Sequence, residues 1–145
     1  IGLSSVFGKN IYNYSVVALK DSAVCLIEKE GLRKLLENNG NFASSIIKNY
    51  CETEAYLFDK IKSLSYKQMN GRLADTLLYL SDEEFSSEDV FKYLNRQDIA
   101  DFACISKEST VKLLTELKTE GIVKLEGKNI KVLQKDKLVS ISKRG

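Results

Sequence analysis

The pattern of apolar and polar residues predicts a short β-rich start followed by helices. Residues 14–27, YSVVALKDSAVCLI, hold two β-branched apolar runs on either side of Lys20-Asp21-Ser22, a composition typical of a turn. This pattern predicts two short antiparallel strands. Because two strands make too little sheet to be stable alone, we expect partner strands before Ile1, in a part of the protein that precedes this sequence.

Three helices are predicted next. A short amphipathic helix is predicted over 28–39, and a longer one over 41–65 with Asn41 as its N-cap. Apolar residues follow the three-to-four spacing of an amphipathic helix along the second segment. A third helix is predicted over 71–81, capped by Asn70.

Two rows of side chains on the long helix repeat every seven residues. A helix of about 25 residues spans roughly 37 Å, more than a small domain needs. One interpretation is a helix that packs on its own domain, and the other is the seam of a two-chain coiled coil. The second assigns a dimer interface to six residues: Ile47, Tyr50, Glu54, Leu57, Ile61 and Leu64.

The segment from Asn95 to Ala103 has the signature of a short capped helix. Asn95 stands three residues before Asp98, which resembles a capping box with aspartate in the third position. The following Cys104-Ile105 predicts a tight break, and we expect Cys104 to be a small buried residue rather than a redox sensor.

A second helix is predicted over 107–120, with Ser106 as its N-cap and Gly121 as a left-handed C-cap. Two short helices joined by a tight turn are typical of a helix-turn-helix. The predicted outward face carries groups that suit the major groove, since lysine donates to guanine and glutamate accepts from cytosine. That face holds Lys107, Glu108, Val111, Lys112 and Thr115.

After Gly121 the apolar pattern alternates with period two. Residues 122–126 and 129–133 flank Gly127-Lys128, a pattern that predicts a β-hairpin with a glycine-containing turn. Three lysines are expected to point outward from it, as in a wing that lies over the DNA backbone: Lys124, Lys128 and Lys131. The elements together predict a winged helix.

Charge is distributed unevenly, although the formal net charge is only +2. Residues 81–101 carry 2 basic and 7 acidic side chains, whereas residues 102–145 carry 10 basic and 5 acidic ones. The basic share therefore falls on the predicted winged helix. The acidic stretch 81–89 is expected to be a solvated loop anchored to the core by Phe85, Val90 and Phe91.

Composition excludes several kinds of site. The chain has no histidine, which excludes His-based zinc sites and Ser-His-Asp triads. Cys25, Cys51 and Cys104 are too widely spaced for a CxxC motif or a disulfide framework, and free thiols suit a reducing compartment. No apolar run approaches the roughly 20 residues of a membrane-spanning helix. We therefore expect a cytoplasmic protein with no membrane partner.

Residues 94–123, LNRQDIADFACISKESTVKLLTELKTEGIV, resemble the helix-turn-helix of the Crp/Fnr superfamily of bacterial transcription regulators. The resemblance includes the family's RQ-[DE]-[IL]-A start and its S-[RK]-E opening of the recognition helix. Residues 70–74, NGRLA, resemble the family's hinge, and 41–65 take the place of its dimerisation helix. Residues 1–7, IGLSSVF, with the run 14–27 resemble the last part of a cyclic-nucleotide-binding-type β-roll.

The resemblance implies an α+β protein with three parts. These are the carboxyl-terminal part of a sensor domain over 1–40, a dimerisation helix over 41–66 and a winged helix-turn-helix DNA-binding domain over 67–145. It implies a homodimer that binds a palindromic operator in double-stranded DNA, with RNA polymerase as a further candidate partner.

The resemblance also assigns DNA-contacting residues. Lys107, Glu108 and Lys112 are expected to contact base edges, although lysine replaces two arginines of the family and so loses bidentate geometry. Five residues are expected to lie near the DNA backbone: Arg96, Gln97, Ser106, Ser109 and Lys128.

Departures from the family pattern bear on the effector, which the sequence does not identify. Cyclic-nucleotide-binding members have a Gly-Glu pair and a later arginine, whereas here Gly2 precedes Leu3 and residues 8–15 contain no arginine. We therefore expect that the effector is not cyclic AMP. The sequence shows no cysteine cluster for iron–sulfur and no histidine for haem.

Two other functional classes compare less well with these features. A winged helix can act as a protein-interaction module without specific DNA binding, and this is the alternative to a regulator. An enzyme is disfavoured, because the sequence shows no paired catalytic acids, no nucleophile–base set and no phosphate-cradling glycine-rich loop.

Overall fold

The computed structural model describes residues 2–3, 7–8, 11–12, 14–82 and 89–145. The chain divides into two compact units, Ile1–Ala55 and Tyr56–Gly145. Regular structure in the described residues is helical apart from one two-stranded sheet, which confirms the α+β class. No helix in this part of the chain has both the length and the apolar character needed to cross a membrane.

Two helices follow one another closely in the first half of the chain. Helix α1 spans Lys29–Asn38 and helix α2 spans Gly40–Tyr66, close to the predicted bounds. The predicted cap at Asn41 is wrong, because Asn41 lies inside α2. Asn39 caps α2 instead: its side-chain oxygen accepts a hydrogen bond from the backbone N–H of Phe42 at 3.0 Å.

The two strands predicted over 14–27 are wrong, since these described residues form no strand. Their apolar side chains are exposed, Leu26 to 97%. A strand is stabilised by a hydrogen-bonded neighbour and a buried face, and the two runs provide neither for each other. Residues 14–27 are therefore not paired in a sheet in this structure. Residues 1, 4–6, 9–10 and 13 lie outside the described part of the chain.

The second unit contains a compact helical core with a hairpin. Its buried residues include Leu77, Ile99, Leu114 and Ile130, drawn from four different elements. Beyond the end of α2, its elements in chain order are α3 (Met69–Leu80), a 3₁₀ turn (Val90–Lys92), α4 (Arg96–Ala103), α5 (Lys107–Thr119), β1 (Val123–Glu126), β2 (Asn129–Val132) and α6 (Lys135–Arg144).

Helices α3 and α6 make close contact. A Cβ added at Gly71 would lie 2.9 Å from the Cα of Gly145, so only glycine permits this approach. The predicted cap at Asn70 is wrong: α3 begins at Met69, and Asn70 lies in its first turn, accepting from the backbone N–H of Gly71. The sequence reasoning missed α6 altogether, although Leu138 and Ile141 have helical spacing and pack in the core.

The acidic stretch is only partly described. Residues 83–88, including Phe85, lie outside the described part of the chain. The anchoring role expected for its neighbours is confirmed, because Phe91 is buried and Val90 packs against the same core.

Candidate nucleic-acid interface

Helix α4 begins with the predicted capping box. The Asn95 side-chain oxygen accepts from the backbone N–H groups of Gln97 and Asp98 at 2.7 and 3.1 Å. In return, the Asp98 carboxylate accepts from the backbone N–H of Asn95 at 2.6 Å. This reciprocal pairing satisfies orphan amides at the start of α4 and fixes where the helix-turn-helix begins.

The turn between α4 and α5 is built on Cys104. This residue has φ of 53°, a left-handed conformation that a non-glycine residue adopts at some cost. The guanidinium of Arg72 on α3 donates to the carbonyl of Cys104 at 3.1 Å and so ties the turn to the core. Cys104 itself is exposed, so the expectation that it is buried was wrong: its left-handed backbone turns the side chain away from the core.

Helix α5 begins at its predicted cap and presents the expected outward face. The Ser106 hydroxyl accepts from the backbone N–H of Ser109 at 3.1 Å. Buried Thr110, Leu114 and Leu117 hold the opposite side against the core. All five residues of the predicted outward face are exposed: Lys107, Glu108, Val111, Lys112 and Thr115.

The charged side chains on this face interact with groups of α5 itself and of its N-cap. The backbone N–H of Glu108 and the Ser106 hydroxyl hydrogen-bond the Glu108 carboxylate, which lowers the pKa of that side chain. Glu108 is therefore ionised and able to accept hydrogen bonds at neutral pH. Lys112 lies 4.0 Å from Glu116 one turn later, an exposed pair that a competing partner displaces at little cost.

A Schellman motif ends α5 and turns the chain into the hairpin. Gly121 has φ of 69°, its N–H donates to Lys118, and the N–H of Ile122 donates to Leu117 at 2.9 Å. Leu117 and Ile122 are both buried, which is the apolar contact expected of this motif. The end of α5 thereby sets the direction of the wing.

The hairpin has the predicted register and alternation. Glu126 pairs with Asn129, so Gly127-Lys128 is a two-residue turn. Val123 and Ile130 are buried, while Lys124, Lys128 and Lys131 are exposed. Lys124 and Lys131 pair across the strands, and Glu126 lies 2.5 Å from Lys124, an ion pair that lowers the pKa of Glu126.

The residues predicted to lie near the DNA backbone occupy two places. Ser106 and Ser109 lie together at the start of α5, where their hydroxyls are 3.1 Å apart. The others line a groove of about 540 Å³, formed by residues 94–97 with Lys107, Gly127 and Lys128. The Gln97 side-chain amide donates to Asp101, which does not line the groove, at 2.7 Å. Arg96 donates to two carbonyls of the hairpin turn.

The six residues of the predicted dimer interface share an exposed face of α2. Each is at least partly open to solvent, Ile47 to 63% and Ile61 to 59%. A different face of the same helix packs within the second unit: the ring of Tyr56 contacts Tyr79 with centroids 5.3 Å apart, and Ser63 is buried. The structure thus separates the packed face from the heptad rows.

Sequence reasoning missed the residues that join α2 to the helix-turn-helix. Tyr79 stacks on Phe102 of α4 at 5.4 Å, and the Lys60 ammonium lies 4.5 Å from the centre of the Phe102 ring. The helical spacing of Tyr56, Lys60 and Ser63 was the available signal, but it competes with the more regular heptad rows.

Among the described residues, no three or more histidine, cysteine, aspartate or glutamate side chains form a group that could hold a metal ion. The three cysteines are free thiols.

A capped two-helix unit followed by a two-stranded hairpin defines a winged helix-turn-helix domain. Residues 71–141 match the family model of the Crp-like helix-turn-helix domain. The resemblance to the Crp/Fnr superfamily is thus confirmed for the helix-turn-helix domain, residues 71–141.

Two longer proteins are similar to this chain over about half of their own length. It is 27% identical over 128 residues to the anaerobic regulatory protein of Bacillus subtilis (strain 168), covering 86% of this chain and 54% of that protein. The crystal structure of Thermus thermophilus catabolite activator protein is matched with a TM-score of 0.41 and 20% identity, over 79% of this chain and 52% of that one. The chain spans about half the length of both relatives.

Proposed function

We propose that this protein is a sequence-specific DNA-binding transcription regulator. The observation that carries the proposal is the set of exposed lysines on α5 and on the wing. Lys107 and Lys112 project from α5, and Lys124, Lys128 and Lys131 project from the hairpin. A helix start that offers cations and an ionised carboxylate suits the edges and phosphates of a major groove.

Each predicted contact has a physical role in this proposal. Lys107 and Lys112 donate to base acceptors, and ionised Glu108 accepts from an exocyclic amine such as that of cytosine. The hydroxyls of Ser106 and Ser109 donate to a phosphate at the helix start, while the Lys128 ammonium meets the backbone beneath the wing. Base contacts select the sequence, and phosphate contacts set register and salt dependence.

A homodimer on a palindromic operator completes the proposal. The heptad rows of α2 leave five large apolar or aromatic side chains exposed along one face of the helix, at 41–63%. A second copy of the same helix covers such a face in a parallel coiled coil. Two winged helices then bind half-sites separated by about one helical turn.

The regulator's other attributes follow from this class of protein. It acts in the bacterial cytoplasm, where its DNA is, and RNA polymerase is a candidate partner. Its effector is an unidentified ligand other than cyclic AMP, because Gly2 is followed by Leu3 rather than glutamate and residues 8–15 contain no arginine.

The decisive experiment is selection of bound sequences from a random duplex library. Binding to the most enriched duplex is then measured by fluorescence anisotropy at several salt concentrations. We expect a two-half-site palindrome bound at least about a thousandfold more tightly than random DNA, with steep salt dependence. Enrichment of no sequence at moderate salt would contradict sequence-specific binding and favour the protein-interaction module.

A further inference from the structure

Arg96 is placed where local helix energetics disfavour it. It is the first residue of α4, and the amino terminus of a helix carries a partial positive charge that repels a cation. Its guanidinium is directed at the hairpin turn instead: Nη1 donates to the carbonyl of Lys128 and Nη2 to that of Gly127, each at 3.0 Å. Partial burial in this position lowers the pKa of Arg96. The hydrogen bonds to the hairpin turn, which are tertiary contacts, offset the unfavourable helix dipole and the burial of the guanidinium.

We propose that Arg96 is a positioning residue that clamps the tip of the wing to the helix-turn-helix. Two adjacent carbonyls match the planar fork of a guanidinium, whereas a lysine ammonium lacks that fixed two-pronged geometry. A neighbouring contact, from the Asn129 amide to Asp89, is longer at 3.4 Å and therefore weaker. The role in DNA binding rests on the proposed function, but the clamp itself exists in the free protein.

The clamp shapes the groove between α4, α5 and the wing. Lys107 borders this groove from α5 and Lys128 borders it from the turn, and none of its lining residues is acidic. A DNA phosphodiester is the ligand class that fits such a cleft. Because the Arg96 guanidinium donates to the carbonyls of the turn, Lys128 is the side chain that meets the phosphate, while Lys107 borders the cleft on the side of the base edges. Arg96 thus acts through Lys128, which revises its expected role as a direct phosphate contact.

The first test uses the free protein and does not depend on DNA. Backbone ¹⁵N relaxation is compared for the wild type, Arg96→Lys and the matched control Lys135→Ala, which removes one exposed cation from α6. In Arg96→Lys we expect order parameters at Gly127 and Lys128 to fall from about 0.85 toward 0.6, with α5 unchanged. Unchanged order parameters at Gly127 and Lys128 in Arg96→Lys would contradict the proposal that Arg96 clamps the turn.

The second test is a double-mutant cycle on DNA binding. If Arg96 acts through Lys128, Arg96→Lys and Lys128→Ala each weaken binding by roughly three- to tenfold, and together by little more than the stronger alone. Multiplying effects would overturn the proposal, as would a normal affinity in Arg96→Lys. If the wild type selects no DNA sequence, the proposed function fails, and the relaxation comparison still decides the clamp.

Discussion

The Lys67 ammonium lies 2.8 Å from the carboxylate of Asp75 and 3.1 Å from the hydroxyl of Ser142, so one side chain just beyond α2 joins α3 and α6. Asp75 also accepts hydrogen bonds from Ser63 on α2 and from Ser142. Burial alone would raise the pKa of Asp75, but hydrogen bonds from Lys67, Ser142 and Ser63 outweigh burial and hold it below its ordinary 3.8.

Asp75→Asn is expected to lower the free energy of unfolding by about 1–3 kcal/mol at pH 7, because it removes the charge that Lys67 pairs with. A carboxyl whose pKa is depressed by folding stabilises the protein above its unfolded pKa, and this stability is lost as the pH falls through the folded pKa. Urea unfolding at several pH values is the measurement. The free energies of unfolding of the wild type and of Asp75→Asn should approach each other as the pH falls below about 4.

The control for this experiment is Glu120→Gln, which neutralises an exposed carboxylate at the end of α5. It should cost less than about 0.5 kcal/mol, as exposed substitutions usually do. A difference between Asp75→Asn and wild type that stays constant from neutral to acidic pH would show that the Asp75 charge does not stabilise this network.

Gly121→Ala tests the junction between α5 and the wing. A Cβ at this position meets only the Gln134 amide at 3.7 Å, so space is available and the cost comes from the left-handed φ of 69°. We expect a loss of about 1–2 kcal/mol in urea unfolding. Gly121→Asn should recover part of it, since asparagine tolerates this conformation better. Equal stability of all three proteins would refute a conformational role for Gly121.

Leu57→Asp tests the proposed dimer. Burying an unpaired carboxylate in an apolar seam is costly, so we expect the dissociation constant of the dimer to rise at least roughly a hundredfold. Sedimentation velocity measures this, and circular dichroism checks that the helix persists. The matched control is Asn49→Asp, which adds the same charge on another face of α2. A monomeric wild type, or a variant that still dimerises, would contradict the interface.

The sequence predicted the helix-turn-helix well because its signals are local. Asn95 with Asp98, Ser106, and Gly121 act within one turn of the helix ends they define, and each has the predicted hydrogen bonds. The N-cap predicted for α2 was wrong, because Asn39 makes the capping hydrogen bond that was expected of Asn41. Propensity does not distinguish two asparagines two residues apart.

The failures concern contacts between residues distant in sequence. Residues 14–27 have strand composition, but composition supplies no pairing partner. The hydrogen bonds from the Arg96 guanidinium to the wing turn, more than thirty residues away, were not predicted either. The link from Lys67 through Asp75 to Ser142 likewise joins three separated segments that no local pattern relates.

Glu108→Gln separates base selection from phosphate binding in the proposed interface. The ionised carboxylate of Glu108 accepts hydrogen bonds only, whereas a glutamine amide also donates, so the variant should tolerate other bases at one operator position. We expect the affinity ratio between the preferred base and its alternatives to fall by about tenfold, while the salt slope stays within about one of the wild-type value. Lys128→Ala should lower affinity for all sequences, because the Lys128 ammonium contacts the backbone, and Lys137→Ala on α6 serves as the charge control. Anisotropy titrations on single-base operator variants measure both quantities. An unaltered base preference in Glu108→Gln would show that Glu108 does not contact the bases.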